Sequence, residues 1–453
     1  MNPLYLIDIA GLLLFLMYAV HQTLSALKPR PRPPVAREGV ALTFMIPALN
    51  EEAVIAATLQ NLRSTVPEAR VVVIDDASSD ATAAIVTQYS QRDPMITLLQ
   101  RVAPEAQQNK GRALNWAVAR LLQSPWLADQ DLSQHVVVVL DADGRVSSDF
   151  APQVRGAFQN PDVMAAQGWM RFRPVEVTEG GVRGVISKML IFQQDLETFI
   201  VGHIQRLRAS GGVASLTGNG QCMRLSYLDH QLAQGNTPWP DVLLEDFGSV
   251  MEIVLDSPRH KVALLPAHIM QQGILDPRAF IKQRARWTQG ALQCLPYLTR
   301  LWRSGASPIT RLDFTYFILS PWLNIVLILN IATQSFRRIF GGQGLMLPDW
   351  MGVILTVVPL LIQLNWAVRF RNEKGLSWWS IPYTLISLPV YGVALLFSLP
   401  LAYSNYLRRQ NTWFKGTRYV EQEPTPMPHV SVKPHHPTHH TSDQPERSLS
   451  SGD

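Results

Sequence analysis

The feature that most limits what this chain can fold into is the run HVVVVLDADG beginning at His135. Residues 136–140 are apolar without a break and stop at two aspartates, Asp141 and Asp143, separated by one alanine. A mostly β-branched run with no polar alternation is the pattern of a strand buried on both faces, as in a parallel sheet covered by helices. Its end then falls at the C-terminal edge of the sheet, where open α/β sheets place their ligands. Two carboxylates there can hold a hard divalent cation against an anionic ligand such as a diphosphate. Alone, the tripeptide fits a solvated Asp-Gly turn better, so its neighbours have to decide.

Those neighbours alternate between short apolar runs and helical patterns. Residues 41–46 read as a strand ended by Pro47, and Asn50 is placed to cap a helix whose first turn carries Glu51 and Glu52. Residues 71–74 form a second strand running into Asp75, Asp76 and the turn residues that follow, with Asp80 as the next helix cap. A third strand at 96–99 and a helix over 112–122 complete the approach to the central run. This alternation predicts an α/β fold with a doubly wound, mostly parallel sheet. No GxGxxG follows the first strand, which argues against a dinucleotide site. Beyond Asp143 the pattern gives a strand at 167–171 and a long amphipathic helix over 185–207. A tight glycine loop at 217–220, a helix opening near 243–248 and a basic amphipathic segment over 281–301 follow.

Composition matters at the two ends. Hydrophobic residues make up 47% of the chain and charged residues 17%, which suggests membrane segments. Residues 1–27 can cross a bilayer once and show neither a basic leader nor a cleavage site, so an uncleaved span is expected. The proline-rich linker 28–40 carries Lys28, Arg30, Arg32 and Arg37, a basic collar that marks the cytoplasmic side. Residues 41–303 would then form a cytoplasmic domain of a multi-pass protein of the cell (inner) membrane. Residues 304–420 contain three apolar stretches, 312–336, 350–370 and 378–403, giving two to three spans. Three crossings would put Arg408, Arg409, Lys415 and Arg418 outside, against their basic character; Pro382, Pro389 and Pro400 suit a re-entrant or interfacial last stretch instead. The tail 421–453, rich in Pro, Ser, Thr and His, is expected to be disordered. Forty Lys and Arg against 35 Asp and Glu, clustered beside apolar segments, fit a membrane surface and not nucleic acid. Cys222 and Cys294 are the only cysteines, which excludes a disulfide framework or a cysteine zinc site.

Five matches in order, IPALNE at 46–51, IDDAS at 74–78, Asp141-Ala142-Asp143, Glu245-Asp246 and QRARW at 283–287, resemble family-2 inverting membrane glycosyltransferases. That family includes the poly-N-acetylglucosamine, hyaluronan, cellulose and chitin synthases and some glycolipid synthases. The resemblance covers roughly residues 3–418 and implies a glycosyltransferase A-type, Rossmann-like domain flanked by transmembrane helices. It implies a UDP-sugar donor, a glycan or lipid acceptor, and a magnesium or manganese ion. By that resemblance Pro47, Glu51, Asp75, Asp76 and Lys110 surround the donor. Asp141 and Asp143 hold it with its cation, Asp143 being the direct metal ligand. Asp246 becomes the general base, with Glu245 facing away, as expected of neighbours on a helix. Gln283 and Arg286 share a helix face. Arg286 would meet charge on the leaving diphosphate, while Trp287 offers a flat wall for a sugar. The segment at 413–418 is similar to the W-x-K/G-T-R tail of several polymer synthases, which lies near the cytoplasmic mouth.

Two departures concern the acceptor. Leu-Glu-Asp-Phe stands where polymer synthases have Thr-Glu-Asp, and the run at 271–273 replaces an acidic residue upstream of QxxRW. The expected function is hexosyl or N-acetylhexosaminyl transfer to a growing polysaccharide, with a membrane lipid as the alternative acceptor. Four apolar segments are few for a translocating polymerase unless the chain pairs with itself or a partner subunit. An inactive binding protein on the same fold is the alternative from another class, and the full set of acidic residues argues against it. A transporter is disfavoured because the apolar segments carry almost no ionisable residues.

Overall fold

The computed structural model describes residues 3–29, 31, 34–341, 349–410 and 418–419. Eight strands form one sheet: β1 Ala41–Ala48, β2 Arg70–Asp75, β3 Ile96–Gln100, β4 His135–Val139, β5 Arg145–Val146, β6 Val163–Arg173, β7 Gln221–Arg224 and β8 Lys261–Gln272, in the order β3-β2-β1-β4-β7-β6-β8-β5. The first half is parallel, as the sequence predicts. The second half is not: β7 runs antiparallel to β4 and β6, β8 is parallel to β6, and β5 is antiparallel to β8. β7 enters from the tight glycine loop and not from a crossover helix, and antiparallel neighbours need no crossover. The sheet is therefore mixed.

Helices cover both faces. In chain order they are α1 Pro3–Leu27, α2 Ile55–Thr65, α3 Thr82–Arg92, α4 Lys110–Leu122, α5 Phe150–Ala157, α6 Gly181–Ala209 and α7 Leu225–Ala233. The rest are α8 Glu245–Asp256, α9 Pro277–Gln293, α10 Tyr297–Arg303, α11 Pro308–Phe340, α12 Asp349–Lys374 and α13 Ser380–Leu407. Alternate residues of β4 feed opposite cores. Val136 and Val138 join Phe44, Leu59 and Phe150 on one face, while Val137 and Val139 join Leu114, Phe247 and Val250 on the other. That two-sided burial explains the unbroken apolar run.

Local chemistry shifts some boundaries. Asn50 does not cap α2, which begins at Ile55; its Oδ1 accepts from Ser79 N at 2.7 Å and ties the first two strand-helix loops together. Asp80 does support α3, accepting from Thr82 N at 2.9 Å. Asn109 caps α4 by accepting from Arg112 N, and Asp276 caps α9 by accepting from Ala279 N. The basic amphipathic segment over 281–301 falls on two helices, α9 and α10, interrupted before Pro296, which has no N–H to continue the ladder.

α1, α11 and α13 are long and apolar enough to cross a membrane. In α1, Asp8 accepts from Asn330 Nδ2, Gln334 Nε2 and Arg337 Nη1 of α11 at 3.2, 2.9 and 2.7 Å, an ion pair that neutralises the far end of that helix. α12 lies against α1 through Trp366 Nε1, which donates to Gln22 Oε1 at 2.9 Å, and its end meets the sheet domain where Lys374 pairs with Asp195 of α6 at 2.7 Å. α13 begins and ends on that same domain. Near its start Gln193 of α6 donates to Thr384 O and Ser387 Oγ; midway Tyr391 packs on Phe280 of α9; past its end Gln289 of α9 donates to Gln410 O. The expected basic residues Arg30, Arg32 and Lys415 and the tail 421–453 lie outside the described residues.

Candidate active site

A cavity of about 460 Å³ opens at the C-terminal edge of the parallel strands, between the sheet and helices α6, α8, α9 and α11. Each wall follows from the local fold. β1 ends in Pro47 and leads to Glu51; α4 begins at Lys110; Asp141 follows β4; Glu245 and Asp246 open α8. Gln283, Arg286 and Trp287 face the cavity from α9, so the expected shared helical face for Gln283 and Arg286 is present. The glycine loop supplies Thr217 and Gly218, the latter at φ 79°, and a Cβ there would come 3.5 Å from Asp246 Oδ2.

The charges are arranged in pairs. Lys110 Nζ donates to Asp141 Oδ1 at 2.6 Å and to Gly218 O at 3.1 Å. Burial opposes the lysine charge, but Asp141 and Glu245 outweigh it and raise the ammonium pKa. Burial likewise disfavours the Asp141 carboxylate, yet Lys110 holds its pKa below the ordinary value. Asp246 behaves differently: burial, reinforced by Glu245, pushes its carboxyl up to about 7. Glu245 is also raised by burial, against the pull of Lys110 and Arg286. Glu245 lines the cavity beside Asp246, which corrects the expectation that it faces away. Both acidic side chains of the first turn of α8 reach the cavity wall. Burial lowers the Arg286 pKa, with Glu245, Asp246 and Asp141 opposing that shift.

Asp143 sits behind Asp141, 1% exposed. Its Oδ2 accepts from Gln272 N at 3.0 Å and from Arg418 Nη1 at 3.1 Å, while Oδ1 is buried without a hydrogen-bond partner among the described residues. Arg418 also donates through Nε to Glu51 Oε2 at 3.1 Å. Burial alone would lower the Arg418 pKa; Asp143 and Glu51 more than reverse it. Among the described residues no three His, Cys, Asp or Glu side chains form a cluster that could hold a metal ion.

Asp75 and Asp76 stand at the end of β2 but outside this cavity. Asp75 accepts from Ser78 N at 3.2 Å and Gln100 Nε2 at 3.4 Å, and Asp76 pairs with buried Arg101 at 2.6 Å. Sequence reasoning missed other members. Asn219 Oδ1 accepts from Asp141 N at 3.0 Å, Gln272 holds Asp143, and Glu197 of α6 lines the cavity while pairing with Arg284. The Asn in the glycine loop and the Gln-Gln pair carried the available signals, but long-range contacts of this kind have no periodicity to betray them. Arg284, inside the QRARW motif, points away from the donor side and stacks over Trp287 at 4.1 Å.

Residues 43–212 match the family described as Glycosyl transferase family 2, and residues 136–406 match that described as Glycosyl transferase family group 2. A beta-monoglucosyldiacylglycerol synthase of Trichormus variabilis is 27% identical over 287 residues, covering 62% of this chain and 56% of that protein. The chain thus spans little more than half the length of that relative. The probable glycosyltransferase YdaM of Bacillus subtilis is 28% identical over 406 residues, covering 84% of this chain and 88% of that protein. Among solved structures, the mannosyltransferase PcManGT of Pyrobaculum calidifontis, in complex with GDP-Man and Mn2+, aligns with a TM-score of 0.56 at 18% identity, covering 90% of this chain and 99% of that one. At that identity the likeness is one of fold.

Proposed function

Because the chain belongs to Glycosyl transferase family group 2, we propose that it is a membrane-bound inverting enzyme that moves one sugar from a UDP-sugar to a hydroxyl of a membrane lipid. The observation that carries this reading is the reach of the cavity. It runs from Lys110, Asp141 and Asp246 at the sheet edge to Phe317, Ser320 and Pro321 on α11, a helix apolar enough to cross the bilayer. An acceptor drawn from the membrane can therefore present its hydroxyl to the carboxylates without leaving the lipid.

In the proposed step the acceptor oxygen bonds to the anomeric carbon as the bond to the diphosphate oxygen breaks on the opposite face. Asp246 takes the hydroxyl proton, and a carboxyl with a pKa near the working pH suits that task. Lys110 and Arg286 hold positive charge where the diphosphate would gather negative charge. Asp141 and Asp143 would hold magnesium or manganese; the buried, unpartnered Asp143 Oδ1 fits a hard cation. That ion, when bound, supplies positive charge beside the departing diphosphate. Asp75 and Asp76, at the end of β2, would border the nucleoside from outside the cavity.

The membrane arrangement is part of the proposal. α1, α11 and α12 cross, while α13, anchored to the sheet domain at both ends, lies along the catalytic-side surface beside α9. Lys28, Arg371, Lys374, Arg408 and Arg409 then share one side, the pattern of a cytoplasmic face. This removes the conflict that three C-terminal crossings would create.

A growing glycan is the second reading of the acceptor. It is favoured by Trp287, whose ring forms part of the cavity wall. The experiment is to supply the purified chain, in lipid nanodiscs with manganese, with a panel of radiolabelled UDP-sugars. Label in a solvent-extractable product carrying one sugar supports the lipid acceptor. A glycosidase-sensitive polymer moves the protein to the second reading. Neither turnover nor donor binding with any sugar overturns both.

A further inference from the structure

We infer that Glu197 of α6 and Arg284 of α9 are a positioning pair that holds the Trp287 ring in place as the wall against which the acceptor docks. The inference rests on the transfer reading above and holds for either acceptor. Glu197 and Trp287 line the cavity, and Arg284 stands behind the ring, 4% exposed.

A guanidinium so far from water is costly unless it is paired and hydrogen-bonded. Arg284 Nη1 donates to Glu197 Oε1 at 3.0 Å, and Nη2 lies 2.5 Å from Oε2. The rest of its surroundings are aromatic. Its guanidinium carbon lies 4.1 Å from the centre of the Trp287 ring, 4.7 Å from that of Phe280 and 6.0 Å from that of Tyr391 on α13. Phe280 precedes Arg284 by one helical turn and Trp287 follows it by one, so a single face of α9 carries all three.

Fastening these helices together does not require a charge. Apolar side chains of similar volume often match or exceed a buried ion pair in stability, and the rings of Phe280 and Tyr391 already join α9 to α13 at 5.5 Å. What the guanidinium adds is direction. Glu197 fixes it from α6 through both carboxylate oxygens, and a planar cation so fixed sets where the indole on its face can lie. Without that partner the ring would be free to turn on its two side-chain torsions. The donor end answers to other charges: Arg286, although next to Trp287 in the chain, faces Glu245, Asp246 and Asp141. The pair therefore bears on the acceptor and not on the donor.

The test uses the full chain in phosphatidylcholine nanodiscs, with dioleoylglycerol at graded mole fractions as the acceptor probe and a UDP-sugar that the unaltered chain turns over. Arg284→Met, which fills similar space without charge, should raise the KM for dioleoylglycerol about tenfold, as expected for one lost desolvated cation–π contact, and leave UDP binding unchanged. Glu197→Gln, which keeps an oxygen for Nη1, should act in the same direction and more weakly. In a Trp287→Leu background neither substitution should raise KM further, a result that a merely structural ion pair would not give. Fluorine NMR of the chain labelled with 5-fluorotryptophan reads the ring itself: the resonance missing in Trp287→Phe should shift in both variants. Equal KM increases with and without the Trp287 ring overturn the positioning role, as does an unmoved Trp287 resonance. An unaltered chain that turns over donor and leaves dioleoylglycerol unglycosylated overturns the lipid acceptor instead, and the resonance still decides the pair.

Discussion

Arg418 Nη1 lies 3.1 Å from Asp143 Oδ2, joining positions 275 residues apart. The same guanidinium reaches Glu51, and Tyr419 N, the next residue, donates to Gln272 Oε1 at 3.0 Å. The chain that leaves α13 therefore returns to the edge of the sheet and places a cation between two carboxylates that the donor diphosphate would approach.

Arg418→Ala should lower kcat/KM by about tenfold to a hundredfold, chiefly through a higher KM for the donor, since a charge-assisted contact to a phosphate is lost. Steady-state kinetics over donor concentration checks this. Faster turnover in the variant would mean instead that the arginine obstructs the carboxylates at rest.

Asp143→Ala should remove the dependence of donor binding on manganese. Calorimetric titration of UDP into the chain, with manganese and then with a chelator, measures it. The unaltered protein should lose affinity on chelation, while the variant binds weakly under both conditions. Equal manganese dependence in the two proteins would take Asp143 out of the cation site.

A fluorescent protein fused after Asp453 should report the cytoplasm, and a phosphatase fused at the same place should stay inactive. Only an even number of crossings after the sheet domain gives that result, as when α11 and α12 cross and α13 does not. Labelling of Arg409→Cys from the catalytic side of inverted vesicles checks it independently, since Cys222 and Cys294 are both buried. An active phosphatase fusion would make α13 a true span.

Much of this site was legible in the sequence because strand ends advertise themselves. Asp141, Lys110 and Glu51 each stand where an apolar run stops or a helix starts, and the QRARW helix declared its face by spacing. The pair Asp75-Asp76 carries the same strand-end signal, and in the structure it also forms an internal turn and a buried ion pair with Arg101 that the sequence did not announce. Arg418 and Asn219 lie in segments that the sequence singles out, 413–418 and 217–220, but their partners in the site, like the role of Gln272, were hidden for the opposite reason. They reach the site from distant loops, and only tertiary packing brings them there. The antiparallel half of the sheet escaped because β7 is four residues long and follows a loop, too short to show its direction.

Asp246→Asn should abolish transfer, by about a hundredfold to ten-thousandfold for a lost general base, while donor binding persists. The pH dependence of the unaltered chain provides the sharper check. Burial and Glu245 raise the Asp246 carboxyl to about 7, so below that pH the base is protonated and cannot accept the hydroxyl proton. kcat/KM should therefore rise with pH through about 7 and level off above it. The same shift has a sign for stability. The folded chain holds this proton more tightly than the unfolded chain, so stability falls as pH rises from the ordinary carboxylate range through the raised value. Asp246→Asn carries no such proton, so its melting temperature should fall less over that interval than that of the unaltered chain. A flat rate profile between pH 6 and 8, with unchanged melting curves, would assign the proton transfer to another group.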